Sequence, residues 1–383
     1  MKRAEKLLLS LNRKAMDKIL YNLTNSKNVL ILGYGREGRS TLNALMKVGD
    51  CKSITVSDIK DVSEQLPKGV QSISGEGYLD VLDDYDVVFK SPGVVLKKEA
   101  SQYKALITSE TEVFFSRFKS QIIGITGTKG KSTTSSLIYH VLKTAGKNTV
   151  FGGNIGIPVF ELKDSITEDT IVVMELSCHQ LEYVNTAPHV AVLLNIYEDH
   201  LDHYGTREKY AAAKKNIYLK QESGDVLYTT RETLEDALEC PSQYIYVEPS
   251  DVKFDSFEEI DGATLRGRHN VLNAAFAYDV CARFGVSYDC FIKALSTFKT
   301  LPHRLEFVGN VSGVDYYDDS ISTTVNSAIS AIESVNNAAI LLVGGMERNI
   351  DYTKLVEYVA KSSLKWVVCM YESGARFYKM YSE

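Results

Sequence analysis

The chain has 383 residues, 44% of them hydrophobic and 24% charged, with a formal net charge of −6. That length exceeds one ordinary core and predicts two or three domains, while the acidic balance excludes a general nucleic-acid or anionic-membrane binder, which would need a basic face. Six scattered cysteines (51, 178, 240, 281, 290 and 369) form no C-x-x-C pair, which fits a reducing, cytoplasmic setting and excludes the usual zinc-ribbon spacing. The apolar run Leu7–Leu11 is too short for a signal-peptide core, and no stretch approaches ~18 apolar residues, so no leader and no membrane insertion are expected.

Residues 1–109 read as a βαβ nucleotide-binding domain. A strand at Val29–Leu32 runs into the glycine turn Gly33-Tyr34-Gly35-Arg36-Glu37-Gly38. A helix follows with Leu42, Leu45 and Met46 on one face, then a strand Ser53–Ser57 that ends at Asp58. A later strand, Val87–Phe89, leads into Ser91-Pro92-Gly93. Alone, this glycine fingerprint with an acid about 20 residues on would also suit a dinucleotide oxidoreductase.

Residues 110–300 form a second α/β unit. The strand Gln121–Ile125 leads into Thr126-Gly127-Thr128-Lys129-Gly130-Lys131-Ser132-Thr133, and a helix is expected over Thr134–Ala145. Strand, small-residue loop, Gly-Lys-Ser and helix make a nucleoside triphosphate site. Backbone N–H groups and the helix N-terminus meet phosphates, Lys131 supplies a charge and Ser132 can hold Mg²⁺. The general pattern wants glycine where this chain has Ile125. Continuous apolar runs at Ile171–Leu176 and Val190–Asn195 predict strands of a parallel sheet covered on both faces. Helices are expected at Arg207–Lys220 and Asn270–Phe284.

Within this unit, Glu175 ends a strand, where a carboxylate can reach a metal held by the loop. Asn195 to His203 packs acids and histidines directly after a buried strand, and a hard cation bridged to phosphate suits it better than zinc. In Tyr210-Ala211-Ala212-Ala213-Lys214-Lys215 nothing intrinsic marks Lys214 over Lys215. After a linker at Thr300–Arg304, a third α/β unit, 301–383, is expected with strands near Asp315–Tyr317, Ala339–Val343 and Trp366–Met370. Three strands are few for a doubly wound sheet, so either the third unit is unusually small or the chain is C-terminally shortened, and the second is expected.

In chain order these segments resemble the Mur ligase family, and within it the D-glutamate-adding branch. The loop Thr126–Ser132 matches the family form, Ile125 included. Gly152-Gly153-Asn154-Ile155-Gly156 resembles its Gly-Asn-Ile-Gly segment. Glu175-Leu176-Ser177-Cys178-His179-Gln180-Leu181-Glu182 resembles a Glu-Leu-Ser-Ser-Phe-Gln-Leu-Glu stretch, with Cys178 and His179 as departures. Asn195–His203, Tyr210–Lys214, Arg268–Ala275, Leu301–Glu306 and Asp318-Asp319-Ser320 follow in family order.

The resemblance implies a three-domain architecture: a Rossmann-like UDP-binding domain, a central P-loop domain and a partial Rossmann-like C-terminal domain. It implies ATP-dependent addition of D-glutamate to UDP-N-acetylmuramoyl-L-alanine through an acyl phosphate, by a monomer. Lys131 would clamp the γ-phosphate, within a loop comprising Gly127, Thr128, Lys129, Gly130, Ser132 and Thr133. Ser132 and Glu175 would hold one Mg²⁺, and His200 with a carbamylated Lys214 a second. Asn154, Ser177, Gln180 and His200 would line the muramoyl-alanine end; Gly35, Arg36, Glu37, Asp58, Ser91 and Gly93 would take the uridine diphosphate. Asn270 and Asn273 would touch adenine, Arg304 and Asp319 the ATP phosphates and ribose, and Thr323 and Arg348 the amino acid. Ile321 stands where the branch carries a lysine, Arg348 where it often does, and a family C-terminal Ser-Pro-x-x-x-Ser segment is not among these residues. An alanine-adding member, or a non-catalytic nucleotide sensor on the same fold, are the other readings.

Overall fold

The computed structural model describes residues 15–382 apart from 235–239 and 348. A helix at 15–24 precedes a five-stranded parallel sheet made of β1 (Asn28–Leu32), β2 (Ser53–Asp58), β3 (Gln71–Ser74), β4 (Val87–Lys90) and β5 (Leu106–Thr108), in the order β3-β2-β1-β4-β5. The order reverses beside β1, so the carboxyl ends of β1 and β4 open a crevice of the kind that binds ligands in open α/β sheets. Gly33 follows β1 there, and Ser91 follows β4.

A second sheet holds β6 (Ile122–Thr126), β7 (Thr149–Gly153), β8 (Ile171–Glu175), β9 (Val190–Leu193), β10 (Val226–Thr229) and β11 (Gln243–Tyr246), all parallel, in the order β11-β10-β9-β6-β8-β7. β6 is central and every residue of it is buried, which is why Ile-Ile-Gly-Ile-Thr carries no alternation. The phosphate loop therefore leaves the sheet at its own switch point, between β8 and β9. Beyond the linker lie an antiparallel hairpin, β12 (Glu306–Val311) and β13 (Val314–Asp318), and a parallel pair, β14 (Ile340–Gly344) and β15 (Trp366–Met370).

The α/β expectation with parallel sheets holds. Among the elements that differ, three are informative. The phosphate-loop helix starts at Lys131, three residues before Thr134, because Gly130 in the left-handed region already caps it. The helix from Arg207 stops at Lys215 rather than running to Lys220. Asn216 there donates to the Leu181 and Glu182 carbonyls, and the chain turns so that Ile217 and Tyr218 both bury fully. β12 is a further strand, and its partly exposed pattern lacks the apolar run that marks a buried one.

One apolar cluster runs through the first two sheets, joining Leu42 and Phe89 to Phe114, Phe160, Met174 and Leu193. The opposite face of the second sheet is covered by the helices Lys131–Thr144 and Arg268–Arg283. Tyr352, Leu355, Val359 and Phe377 form a separate cluster beyond residue 301.

At the crevice, a Cβ on Gly38 would lie 2.1 Å from the carbonyl oxygen of Gly33. Backbone cannot rotate away as a side chain can. Gly38→Ala is expected to lower stability by about 2–3 kcal/mol, read from the urea unfolding midpoint. An unchanged midpoint would show that the turn is looser than this contact implies.

Candidate active site

Thr126 fixes where the chain leaves β6, its buried hydroxyl donating to the Leu176 carbonyl at 2.8 Å. Asn195, just beyond β9, then grips the loop with both ends of its amide. Its Oδ1 accepts from Lys129 N–H at 2.9 Å and its Nδ2 donates to the Lys129 carbonyl at 3.1 Å, while its own carbonyl accepts from Thr128 N–H. The Thr128 hydroxyl accepts from Tyr197 N–H and from the buried Tyr210 hydroxyl. Gly130 has no alternative, since φ is +85° and a Cβ would meet Asn273 Oδ1 at 2.6 Å.

Two ammonium groups converge on this loop. Lys131 Nζ donates to the Gly127 carbonyl at 2.9 Å and to Thr128 O at 3.1 Å. Lys214 Nζ donates to the same Gly127 oxygen at 2.8 Å. Lys214 is 1% exposed, whereas the helix places Lys215 elsewhere, half-buried. Burial, with the Lys131 charge added, pushes Lys214 down to about 7. Burial also lowers Lys131, partly offset by Glu175. Tyr210 stands between Lys214 and His200: Lys214 Nζ is 4.8 Å from its ring centre and the exposed His200 ring is 6.0 Å away.

Glu175 ends β8 fully buried. Its Oε1 accepts from Asn154 Nδ2 at 2.6 Å, while Oε2 is buried with no hydrogen-bond partner among the described residues. A bare carboxylate oxygen buried beside a phosphate loop fits a hard cation, and Ser132 supplies the hydroxyl such an ion takes. Arg304 Nη2 donates to that Ser132 oxygen at 3.3 Å, bringing the linker against the loop. Thr133 is half-buried on the first turn of the same helix.

Gly35, Arg36, Glu37, Asp58, Ser91, Gly93 and Asn154 all line one cleft of about 420 Å³ at the first sheet's crevice. Arg36 crosses from the first sheet's unit to the second, donating to the Asn154 carbonyl at 3.1 Å. Asp58 is already engaged, accepting from Tyr34 N–H at 2.7 Å and Lys60 N–H at 2.9 Å, so it shapes the glycine turn. Ser91 Oγ donates to the Gly33 carbonyl at 2.8 Å. Ser177 and Gln180 cap their own helix reciprocally, and Gln180 Nε2 donates to Glu37 at 2.6 Å. Burial raises Glu37 to about 7, partly offset by Gln180, Lys90 and Arg36. Glu110, also buried, is raised by burial and by the Glu37 charge.

Asn270 and Asn273 are buried on the helix Arg268–Arg283 and bonded to each other; Asn273 also accepts from Thr134 of the loop helix at 3.2 Å. Asp319 accepts from Leu305 N–H at 2.9 Å and from the Ser322 hydroxyl, shaping the linker. Thr323 is exposed, and Arg348 lies outside the described residues. Thr126, Asn195 and Tyr210 stand within the motifs read from the sequence, which gave none of them a role of its own. Only Asn195, directly after a buried strand, carried a local signal.

Glu37 offers a pH test. A carboxyl near 7 in the fold and 4.5 when unfolded binds more protons folded, so its contribution is full below pH 4.5 and is lost as pH rises to 7. Glu37→Gln is expected to gain stability over the parent by roughly 2–3 kcal/mol at pH 8 and by little at pH 4.5, measured by urea unfolding. A gain that does not change with pH would refute the raised value.

Residues 125–239 match the Mur ligase middle domain. The chain is 33% identical to the UDP-N-acetylmuramoylalanine–D-glutamate ligase of Clostridium kluyveri, over 92% of this chain and 82% of that one. It is also 33% identical to the protein of the same name from Clostridium botulinum, over 86% of this chain and 78% of that one. In fold it is similar to the MurF ligase of Thermotoga maritima solved with ADP (TM-score 0.56, 19% identity, 93% of this chain and 84% of that one). MurC of the same organism gives a TM-score of 0.51 at 18% identity, over 92% and 87%. With its phosphate loop, paired lysines and buried bare carboxylate, the chain belongs to the Mur ligase family of ATP-dependent, amide-forming ligases.

Proposed function

We propose that this enzyme joins D-glutamate to UDP-N-acetylmuramoyl-L-alanine in the cytoplasmic synthesis of peptidoglycan precursors, acting as a monomer. The single observation behind this reading is Asn154, which lines the cleft and also binds Glu175 at 2.6 Å. Asn154 thus touches both the cleft and the buried carboxylate that ends the strand beside the phosphate loop. The D-glutamate ligases of the two Clostridium species supply the acceptor and the amino acid by analogy.

In this reading Gly35, Arg36, Glu37, Asp58, Ser91 and Gly93 take the uridine diphosphate, and Asn154, Ser177, Gln180 and His200 the muramoyl-alanine end. Asn270 and Asn273 face adenine; Arg304 and Asp319 meet the phosphates and ribose; Thr323 and Arg348 serve the incoming amino acid. Mg²⁺ held by Ser132 and Glu175, and a second ion held by His200 and a carbamylated Lys214, would neutralise charge during phosphoryl transfer.

The protein's own part begins with Lys131. Its hydrogen bonds to Gly127 and Thr128 carbonyls are ones a γ-phosphate can replace, so the ammonium moves from neutral acceptors to a charged one. The alanyl carboxylate attacks the γ-phosphorus, the bond to ADP breaks, and an acyl phosphate forms. The D-glutamate amine then attacks the acyl carbon and phosphate leaves. Lys131 offsets charge growing on the transferred group. Lys214, held near 7 by burial and by Lys131, presents much neutral amine at physiological pH. A neutral amine can add CO₂, and the resulting carbamate converts a cation that repels Lys131 into an anion that attracts it.

Phosphate release with ATP, Mg²⁺ and UDP-N-acetylmuramoyl-L-alanine is expected to require D-glutamate. Equal release with L-alanine or no amino acid would sink the assignment. Lys131→Ala is expected to lower kcat by about 10²–10³-fold. Enzyme incubated with ¹³C-bicarbonate should show one carbamate carbon resonance, absent in Lys214→Ala. A spectrum with no such signal would remove the carbamate.

A further inference from the structure

Two short helical turns face one another beside the phosphate loop. One, Cys178–Leu181, carries His179, with Glu182 three residues on; the other, Leu201–Tyr204, carries His203. Ligand atoms of His179, Glu182 and His203 all lie within 4.8 Å of one another, and the two imidazole rings are 4.2 Å apart between centres.

A second observation concerns satisfaction. The His203 side chain is 10% exposed, and its Nε2 is buried, 3.5 Å from Glu182 Oε2, which is likewise buried; among the described residues neither atom has a hydrogen bond. Their nearest polar neighbours are each other and, for Glu182, Lys90 Nζ at 3.5 Å, contacts too long to satisfy a buried group fully. His179 is prepared differently: its Nδ1 meets the Tyr204 hydroxyl at 3.2 Å, which leaves Nε2 for a ligand. An outer contact of this kind fixes the tautomer and ring orientation of a metal-binding histidine. Two imidazoles and a carboxylate make a zinc donor set, whereas Mg²⁺ selects oxygens.

We propose that His179, Glu182 and His203 bind a borderline-soft divalent cation, of which Zn²⁺ is the natural occupant. The ion would tie together two four-residue turns that are too short to persist on their own. Those turns position Gln180 and His200, so the tie holds the substrate wall without touching the phosphate loop. Lys90 is the competing cation, its Nζ 3.5 Å from Glu182 Oε2. It also donates to the Ser91 and Pro92 carbonyls at 3.4 and 3.3 Å, so it keeps partners when the carboxylate turns to a metal.

The test is titration of the full chain with Zn²⁺ alone, without nucleotide, by calorimetry and thermal melting. One ion per chain is expected, not displaced by excess Mg²⁺, with a higher Tm. Affinity should fall by more than about 100-fold in His179→Phe and in His203→Gln, since losing a ligand exceeds losing an outer contact. ATP binding in both variants should match the parent, which separates loss of the site from loss of the fold. Cys178→Ser should bind Zn²⁺ normally. Absence of saturable binding, or binding that survives both histidine changes, overturns the proposal. So does binding lost in Cys178→Ser but kept in His203→Gln, which would move the ion to Cys178, His179 and His200.

Discussion

Two ammonium groups, one fully buried and one partly so, share one carbonyl oxygen, that of Gly127. Like charges this close repel strongly where water is scarce. Lys214 responds by losing much of its charge near neutral pH, while Lys131 keeps a counter-charge in Glu175. The loop withstands this because it is bound from behind: Asn195 holds Lys129 from both sides, and Thr128 is held by Tyr197 and Tyr210. An anion entering the loop relieves the repulsion, so the site carries a standing preference for phosphate before any ligand arrives.

Residues legible in the sequence were those whose signal is local. Gly130-Lys131-Ser132 after a buried strand needs only its own few neighbours to be read, and so do the apolar runs of β6, β8 and β9. What stayed hidden depends on contacts between distant parts of the chain. Asn195 reaches the loop across 66 residues, and nothing around it in sequence says which way its amide points. Lys214 and Lys215 are chemically the same; only the helix phase sends one to Gly127 and the other toward the surface. The stop at Lys215 follows from Asn216 finding carbonyls on a separate turn. The grouping of His179, Glu182 and His203 is invisible because its members come from two turns, and neither H-x-x-E nor H-x-x-H alone announces a metal.

Buried carboxyls also gather where the first two units meet. Glu110 accepts from Ser40, Thr41 and Phe160 N–H, and Glu37 accepts from Gln180. The Ser40, Thr41 and Gln180 contacts cross from one unit to the other, while Phe160 N–H holds Glu110 from within the second, and the apolar cluster crosses with them. Directional polar contacts set the angle at which an otherwise non-directional apolar seam comes together. The cleft depends on that angle, since Asn154 comes from the second unit and the other six named lining residues from the first.

Among the described residues, none beyond the linker belongs to that cluster, and the apolar residues around Phe377 form a cluster of their own. Its ties to the central unit are polar, such as Arg304 to Ser132 and Asn336 to Glu258. Substitutions within the Phe377 cluster act on apolar packing separate from the cluster behind the phosphate loop, so their stability effects should add to those of loop substitutions. Such a seam lets a lineage exchange the part that selects a reaction partner while inheriting the phosphate chemistry intact.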